Sequence, residues 1–248
     1  NLIITSVLGF VSLLFAGVTS GFGNLVASST TEHYEKTFRE VNFFNVWVYG
    51  FCSIAFFVLI PPFIQLWLGK EFLIDNISFL LIVINQYMLG QSAIYNNARV
   101  AKGNFKKDQW NSLIQAVVNL VVSIIAAKYL GLIGVYIGTV VSRLCTTIIR
   151  PAMTYKFLFN KSCAVYYTMY LGYFLFVCAI GALTYFACYF ILINVTIWTF
   201  ILAMLVVALL PNALTLLCFH RTTEFKALYA RLKMILNRIM KRKKQNEE

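Results

Sequence analysis

The fold is decided by one long uncharged stretch. It runs from Ser162 to His220 and reads SCAVYYTMYLGYFLFVCAIGALTYFACYFILINVTIWTFILAMLVVALLPNALTLLCFH, with no Lys, Arg, Asp or Glu among its 59 residues. About 20 apolar residues are enough for a helix to cross the hydrocarbon core of a bilayer, which is roughly 30 Å thick. The stretch therefore predicts two membrane-spanning helices, over residues 165–190 and 197–217, with a turn near Leu192 to Thr196.

Five further apolar stretches, each long enough for a single membrane-spanning helix, precede this uncharged stretch. They are Leu2–Leu25, Val41–Gly69, Ile77–Asn97, Trp110–Ala127 and Leu130–Ile149. In the whole chain 60% of the residues are hydrophobic and 12% are charged, whereas a soluble domain has about 25% charged residues. Six cysteines in 248 residues are too few for a disulfide-stapled module. The sequence predicts an all-α integral membrane protein with about seven transmembrane helices.

Basic residues are distributed unevenly between the two sides of the predicted helices. The loops after the first, third, fifth and seventh helices, with the adjoining helix ends, contain 19 of the 21 Lys and Arg residues. Because Lys and Arg are retained on the cytoplasmic side, this side is predicted to be cytoplasmic and to hold the carboxy terminus. Asn1 then lies outside, with a helix directly behind it and no signal peptide. We therefore expect the sequence to be the carboxy-terminal part of a longer protein.

The predicted helices divide the chain into three parts. Residues 1–160 hold five helices, residues 161–220 hold two, and residues 221–248 form a basic tail. In the tail, apolar residues recur at helical spacing among Lys and Arg: Phe225, Leu228, Leu232, Ile235 and Ile239. Such a basic amphipathic helix is expected to lie on the anionic lipids of the inner leaflet. Because these lipids already provide a partner for the basic residues, no nucleic acid is expected.

Two of the predicted helices carry polar side chains that cannot face lipid without cost. They are Asn111, Gln115, Asn119 and Ser123, which recur every four residues in the fourth helix, and Asn85, Gln86 and Asn97 in the third. Two interpretations remain open. The side chains form hydrogen bonds between helices, or they line an aqueous cavity that handles a polar substrate.

Arg143 is the one charged residue inside a predicted membrane-spanning helix. It lies about two turns from the cytoplasmic end of the fifth helix, where a charge costs less than the ~2.5–3.5 kcal/mol of the bilayer centre. Either its side chain snorkels to the headgroups, or its guanidinium group contacts a phosphate or pyrophosphate. The full set of candidates for a substrate cavity is Asn85, Gln86, Asn97, Asn111, Gln115, Asn119 and Arg143.

The sequence contains no pattern typical of a catalytic centre. Walker loops, nucleotide fingerprints, HExxH and nucleophile elbows are absent from it, and its cysteines lack metal-ligand spacing. We therefore expect no enzyme activity, no cofactor and no bound metal. All nine Asp and Glu residues lie outside the predicted helices. Because proton or sodium coupling normally uses a buried carboxylate, such a residue is expected outside this sequence, or the mechanism does not use one.

Five short segments occur in a fixed order within residues 1–160. They are GNLVA at 23–27, PFIQLWLG at 62–69, AKGNF at 101–105, the polar residues within 119–123, and GLIGVYIGT at 131–139. In this order they resemble the Wzx-type polysaccharide flippases of the multidrug/oligosaccharidyl-lipid/polysaccharide exporter superfamily. The resemblance implies two helix bundles around a central cavity that opens alternately to each side. The seven predicted helices would then be the second half of such an exporter.

The resemblance also implies a function. The expected protein is a flippase in the bacterial cytoplasmic membrane that moves a polyprenyl-pyrophosphate-linked oligosaccharide to the outer leaflet, as in lipopolysaccharide O-antigen or capsule export. Three alternatives stay open: a cation-coupled multidrug antiporter of the same superfamily, a part of a membrane-embedded glycan polymerase or ligase, and a purely structural role.

Overall fold

The computed structural model describes residues 9, 30–101, 106–231 and 233. Within these residues the chain forms six long helices and no strand. The helices are α1 (Thr31–Trp67), α2 (Asn76–Ala101), α3 (Lys106–Leu130), α4 (Leu132–Thr154), α5 (Ala164–Ile191) and α6 (Ile197–Phe219). Each contains a segment long and apolar enough to cross a membrane. The chain is therefore an all-α, multi-pass membrane protein, as predicted, and the predicted span Leu2–Leu25 lies outside the described residues.

The turn between α5 and α6 confirms the prediction made from the uncharged stretch. Helix α5 ends at Ile191, and Thr196 caps the start of α6. The hydroxyl of Thr196 accepts from the backbone N–H of Thr199 (3.3 Å), while the hydroxyl of Thr199 accepts from the backbone N–H of Thr196 (2.8 Å). This reciprocal capping box satisfies backbone donors that the first turn of a helix leaves free.

Helix α1 begins ten residues before the span predicted from Val41. Thr30 caps it, and its side chain accepts a hydrogen bond from the backbone of His33. The 37 residues of α1 extend about 55 Å at 1.5 Å per residue, which exceeds the roughly 40–45 Å of a whole bilayer. The first turns, which carry Glu32, Glu35 and Glu40, therefore extend beyond the hydrocarbon core. Charged residues ended the apolar stretch in the sequence, but they do not end the helix.

Helices α3 and α4 form a hairpin with Gly131 as the single joint. Gly131 has a positive φ of 57°, a conformation that glycine adopts without steric cost. Beyond the joint the two backbones approach closely. A Cβ atom on Gly134 would lie 2.3 Å from the carbonyl group of Ala126, and one on Gly138 would lie 2.6 Å from the backbone nitrogen of Ser123. The glycine pair thus allows the close packing that small residues provide in membranes.

Helix α1 is the centre of the arrangement. It packs against α2, α5 and α6, while α2 packs on its other side against α4, and α4 packs against α3. Buried apolar side chains follow α1 along its length, and an aromatic group around Phe38 and Tyr95 fills one end. Within the described residues α3 scarcely touches α2, because α4 lies between them. The third and fourth predicted helices are therefore not neighbours.

Candidate functional site

The polar stripe of α3 faces α4 and forms hydrogen bonds between these two helices. The amide of Asn119 donates to the hydroxyls of Ser142 (3.2 Å) and Thr139 (3.4 Å). The hydroxyl of Ser123 donates to the carbonyl of Val135 (3.4 Å). At the open end of the hairpin, the buried amide of Asn111 donates to the sulfur of Met153 (3.0 Å). Gln115 is half-buried in the same stripe. This geometry favours the packing interpretation for Asn111 and Asn119.

We expect Asn119→Leu to weaken the hairpin slightly. The substitution removes two hydrogen bonds to α4, and such contacts average about 0.6 kcal/mol and reach about 1.7 kcal/mol in membranes. Unfolding of the purified chain by SDS in mixed micelles measures the loss. Leu120→Ala, at a position whose side chain is exposed on the apolar surface, is the matched control and should change stability less. An Asn119→Leu chain as stable as the parent would contradict this account of the stripe.

Arg143 lies at the midpoint of α4. It is the twelfth of 23 residues, so about 16 Å of helix extends on either side of it. The sequence placed it about two turns from the end of its helix, and the structure places it about three turns from Thr154. The helix continues past Ile149 to Thr154, and Arg150 is buried although it is charged.

Asn85 of α2 and Arg143 of α4 form a contact between helices. The guanidinium Nε of Arg143 donates to the side-chain oxygen of Asn85 (3.3 Å). No ion pair joins Arg143 to a carboxylate among the residues that the structure describes. Asn85 is neutral, so it orients the guanidinium group without cancelling its charge. Four of the five N–H groups of an arginine remain when Nε is engaged.

Helix α2 carries further polar atoms in the two turns that follow Asn85. The side-chain oxygen of Gln86, the hydroxyl of Tyr87 and the amide nitrogen of Gln91 are buried and have no hydrogen-bond partner within the described chain. Each such atom costs about 1–3 kcal/mol if it stays dry. Asn45 of α1 donates to the carbonyl of Gly90 (3.1 Å) and to the side-chain oxygen of Gln91 (3.4 Å). This part of α2 therefore has unused capacity for hydrogen bonds to water or to a polar ligand.

The structure divides the seven predicted cavity residues between two places. Asn85 and Gln86 lie on α2, where Asn85 contacts Arg143, whereas the three residues of α3 lie on the far side of α4. Asn97 belongs to α2, but its side chain lies outside the described part of the chain. The helix that lies between the two groups, α4, supplies Arg143 itself.

A charged cluster at one end of the helices was missed by sequence reasoning. We call it the end cluster, and it consists of Glu35, Arg39, Glu40, Lys161 and Arg231. Glu35 accepts from Arg39 (2.8 Å) and from Lys161 (2.6 Å), and Glu40 accepts from Arg231 (2.6 Å). The only part of this cluster that a local pattern indicates is the pair of Glu35 and Arg39, because oppositely charged residues four apart on a helix can form an ion pair. Segments from three parts of the chain thus meet at one end, in agreement with the predicted alternation of loops.

A polar cavity of about 300 Å³ opens at the end cluster. Its lining is charged, with both signs present: Glu32, Glu35, Lys36, Arg39, Glu40, Lys161, Thr223 and Glu224. Tyr155, in the π-helical segment Tyr155–Phe159 that follows α4, borders the charges. Burial raises the pKa of the Tyr155 hydroxyl, Arg39 opposes this rise, and Glu35 adds to it. In the described residues, His, Cys, Asp and Glu do not form a group of three or more that could hold a metal ion.

Comparisons with protein-family models, with curated proteins and with solved structures give no match to this chain. The family resemblance therefore stays a prediction. Of the five segments that carry it, GNLVA lies outside the described residues and AKGNF is described only at Ala101. The segment at 131–139 covers the Gly131 joint and the close approach at Gly134 and Gly138. Its glycines thus have a structural role in the hairpin.

Proposed function

We propose that this chain forms part of a flippase that moves a polyprenyl-pyrophosphate-linked oligosaccharide across the bacterial cytoplasmic membrane by alternating access. The observation that carries the proposal is the contact of Arg143 with Asn85, at the centre of a helix long enough to span the bilayer. An ionisable residue inside a membrane-spanning helix is costly, by about 2.5–3.5 kcal/mol at the bilayer centre, and such residues usually mark a functional site.

The chemistry of Arg143 fits an anionic substrate group. A guanidinium group binds phosphate oxygens with two parallel hydrogen bonds, and it keeps its charge in every environment relevant here. Asn85 occupies Nε and leaves the other donors for the pyrophosphate. The buried, unpartnered oxygen of Gln86 adds an acceptor for a sugar hydroxyl on the neighbouring part of α2. In this proposal the prenyl tail stays in the lipid while the polar part moves between the helices.

The proposal also assigns one side of the membrane. The end cluster and the basic tail both lie on the cytoplasmic side, where Lys and Arg are retained. Beyond the described residues the tail would contact anionic lipids of the inner leaflet. The described helices would be one of the two bundles that alternating access requires. The chain moves its substrate without chemical change, so no enzyme activity is proposed.

A cation-coupled antiporter is not favoured by the positions of the described carboxylates. The two buried ones, Glu35 and Glu40, lie in the first turns of α1 and are both paired with basic side chains. A coupling carboxylate has to exchange a proton or a cation during the cycle, and a stable ion pair opposes that exchange.

The test is a flipping assay with the protein as the cell makes it. Proteoliposomes would contain a polyprenyl-pyrophosphate-linked glycan, and a membrane-impermeant glycosidase would report the rate at which the glycan changes leaflet. We expect Arg143→Gln to lower this rate about tenfold or more, since a hydrogen bond to a charged group contributes about 1.5–3 kcal/mol. Arg143→Lys keeps the charge but cannot form the bidentate hydrogen bonds of a guanidinium group, so its flipping rate should lie between those of the parent and of Arg143→Gln.

Lys128→Gln is the matched control. Lys128 is exposed at the α3–α4 joint, so this substitution removes a positive charge without affecting α2 or the centre of α4. The flipping rate of the Lys128→Gln variant should equal that of the parent. If the parent protein leaves the sidedness of the glycan unchanged, the proposed substrate is wrong. If the parent flips the glycan and Arg143→Gln does so equally fast, the proposed site is wrong.

A further inference from the structure

Residues after α6 fold back onto the first half of α1. Residues 223–231 are helical, and the ring of Phe225 lies 6.0 Å from that of Trp47, while Phe219 at the end of α6 lies 5.3 Å from Phe43. Farther along, Arg231 donates to the carboxylate of Glu40 (2.6 Å) and to the hydroxyl of Thr37 (3.4 Å). The described part of the predicted basic tail thus contacts α1 through Phe225 and Arg231.

An ionic contact also attaches this segment to α1. The Glu40 side chain is 7% exposed, whereas that of Arg231 is 44% exposed. A carboxylate so removed from water needs a cation, and among the described residues Arg231 is the basic side chain that pairs with it. Glu35 repeats the pattern, because its cation Lys161 also comes from a distant segment. The two acids of α1 are neutralised by two separate parts of the chain.

The space beneath the segment is polar and not filled by apolar side chains. Thr223 and Glu224 form one wall of the cavity of about 300 Å³, α1 forms another, and Lys161 completes it. A segment that borders a polar cavity can move away from that cavity without opening a packed apolar core there. The movement would break the aromatic contact between Phe225 and Trp47. The turn at residues 220–222, between two helices, is the place where such a movement can pivot.

We propose that residues 220–231 form an ionic strap that closes this end of the helices and opens when the Arg231–Glu40 pair breaks. When the strap is closed, it covers Thr37 and Glu40 and forms one wall of the polar cavity. When it is open, water reaches Thr37 and Glu40. The strap does not depend on the proposed substrate, because it follows from contacts within this chain alone.

Thiol labelling of the purified chain in micelles tests the strap. Thr37 is 3% exposed and contacts Arg231, so a Thr37→Cys variant should react slowly with a bulky, charged maleimide. Lys36→Cys, at the exposed neighbouring position, should react fast in every background. The reaction of the six natural cysteines is measured on the parent chain and subtracted. Adding Arg231→Glu places two carboxylates together and should speed labelling of Thr37→Cys about tenfold or more, as expected when a charge-assisted bond is lost.

Charge exchange separates the strap from general damage to the fold. Glu40→Arg combined with Arg231→Glu restores an opposite pair and should return Thr37→Cys to slow labelling. Two results would overturn the proposal: labelling of Thr37→Cys as fast as that of Lys36→Cys with the natural pair intact, or fast labelling that the exchanged pair does not reduce. If the charge variants do not fold, salt gives the answer on Thr37→Cys alone. Labelling that accelerates from about 0.05 to about 1 M salt supports the strap, and labelling independent of salt excludes it.

Discussion

Gly134→Leu is expected to force α3 and α4 apart and to cause one of the largest losses of stability in the chain. A Cβ atom at this position would lie 2.3 Å from the backbone carbonyl of Ala126, and a backbone atom cannot move aside as a flexible side chain can. Overpacking of this kind costs about 1–3 kcal/mol, and the upper end applies where backbone must shift. Titration of the purified chain with SDS, followed by circular dichroism, gives the change in free energy of unfolding.

Gly172→Leu is the control for this prediction. Gly172 also lies inside a long helix, but a Cβ atom there meets no other atom within 4 Å. Replacing a helical glycine at an open position should leave stability unchanged or raise it by up to about 1 kcal/mol, because glycine is a poor helix former. Equal losses for the two variants would mean that the close approach of α3 and α4 is not what holds the hairpin together.

Phe38→Ala is expected to destabilise the chain by about 3 kcal/mol or more. Phe38 is 1% exposed, and its ring lies 5.3 Å from that of Tyr95 on α2 and 5.6 Å from that of Phe159 after α4. Removing a buried phenylalanine costs about 3–5 kcal/mol in soluble proteins, and part of that cost is the cavity left behind. Loss of packing is also what weakens helix association in a membrane. The same SDS titration measures the effect.

The matched control is Phe186→Ala. The side chain of Phe186 on α5 is 62% exposed at the apolar surface, so its removal leaves no internal cavity, and we expect a change below about 1 kcal/mol. Because Phe38 lies one turn from Glu35, Phe38→Ala should also loosen the pairing of Glu35 with Lys161. A Phe38→Ala chain as stable as Phe186→Ala would show that the aromatic group at this end is not a core.

Helix positions could be predicted from the sequence because the signal is local. A run of 59 uncharged residues can hold two spans, and the polar turn before Thr196 was found within a residue or two. The start of α1 could not be found in the same way. The capping hydroxyl of Thr30 sets that start, whereas the apolar stretch begins only at Val41. Hydropathy locates the part of a helix that lies in lipid, and capping decides where the helix begins.

The candidate site was harder to predict because it depends on which helices are neighbours. The spacing of Asn111 and Asn119 showed correctly that α3 has a polar face, but the partner of that face is α4 and not α2. Arg143 was identified as exceptional, yet its contact with Asn85 joins residues 58 apart in sequence. The pair of Glu40 and Arg231 spans 191 residues. No periodicity within one segment can reveal such contacts.

The joint at Gly131 has a consequence for how the chain is made. One residue separates the end of α3 from the start of α4. This connection is too short for α3 to lie in lipid while α4 is still inside the insertion machinery. We therefore expect the pair to enter the bilayer as one unit of 49 residues, from Lys106 to Thr154.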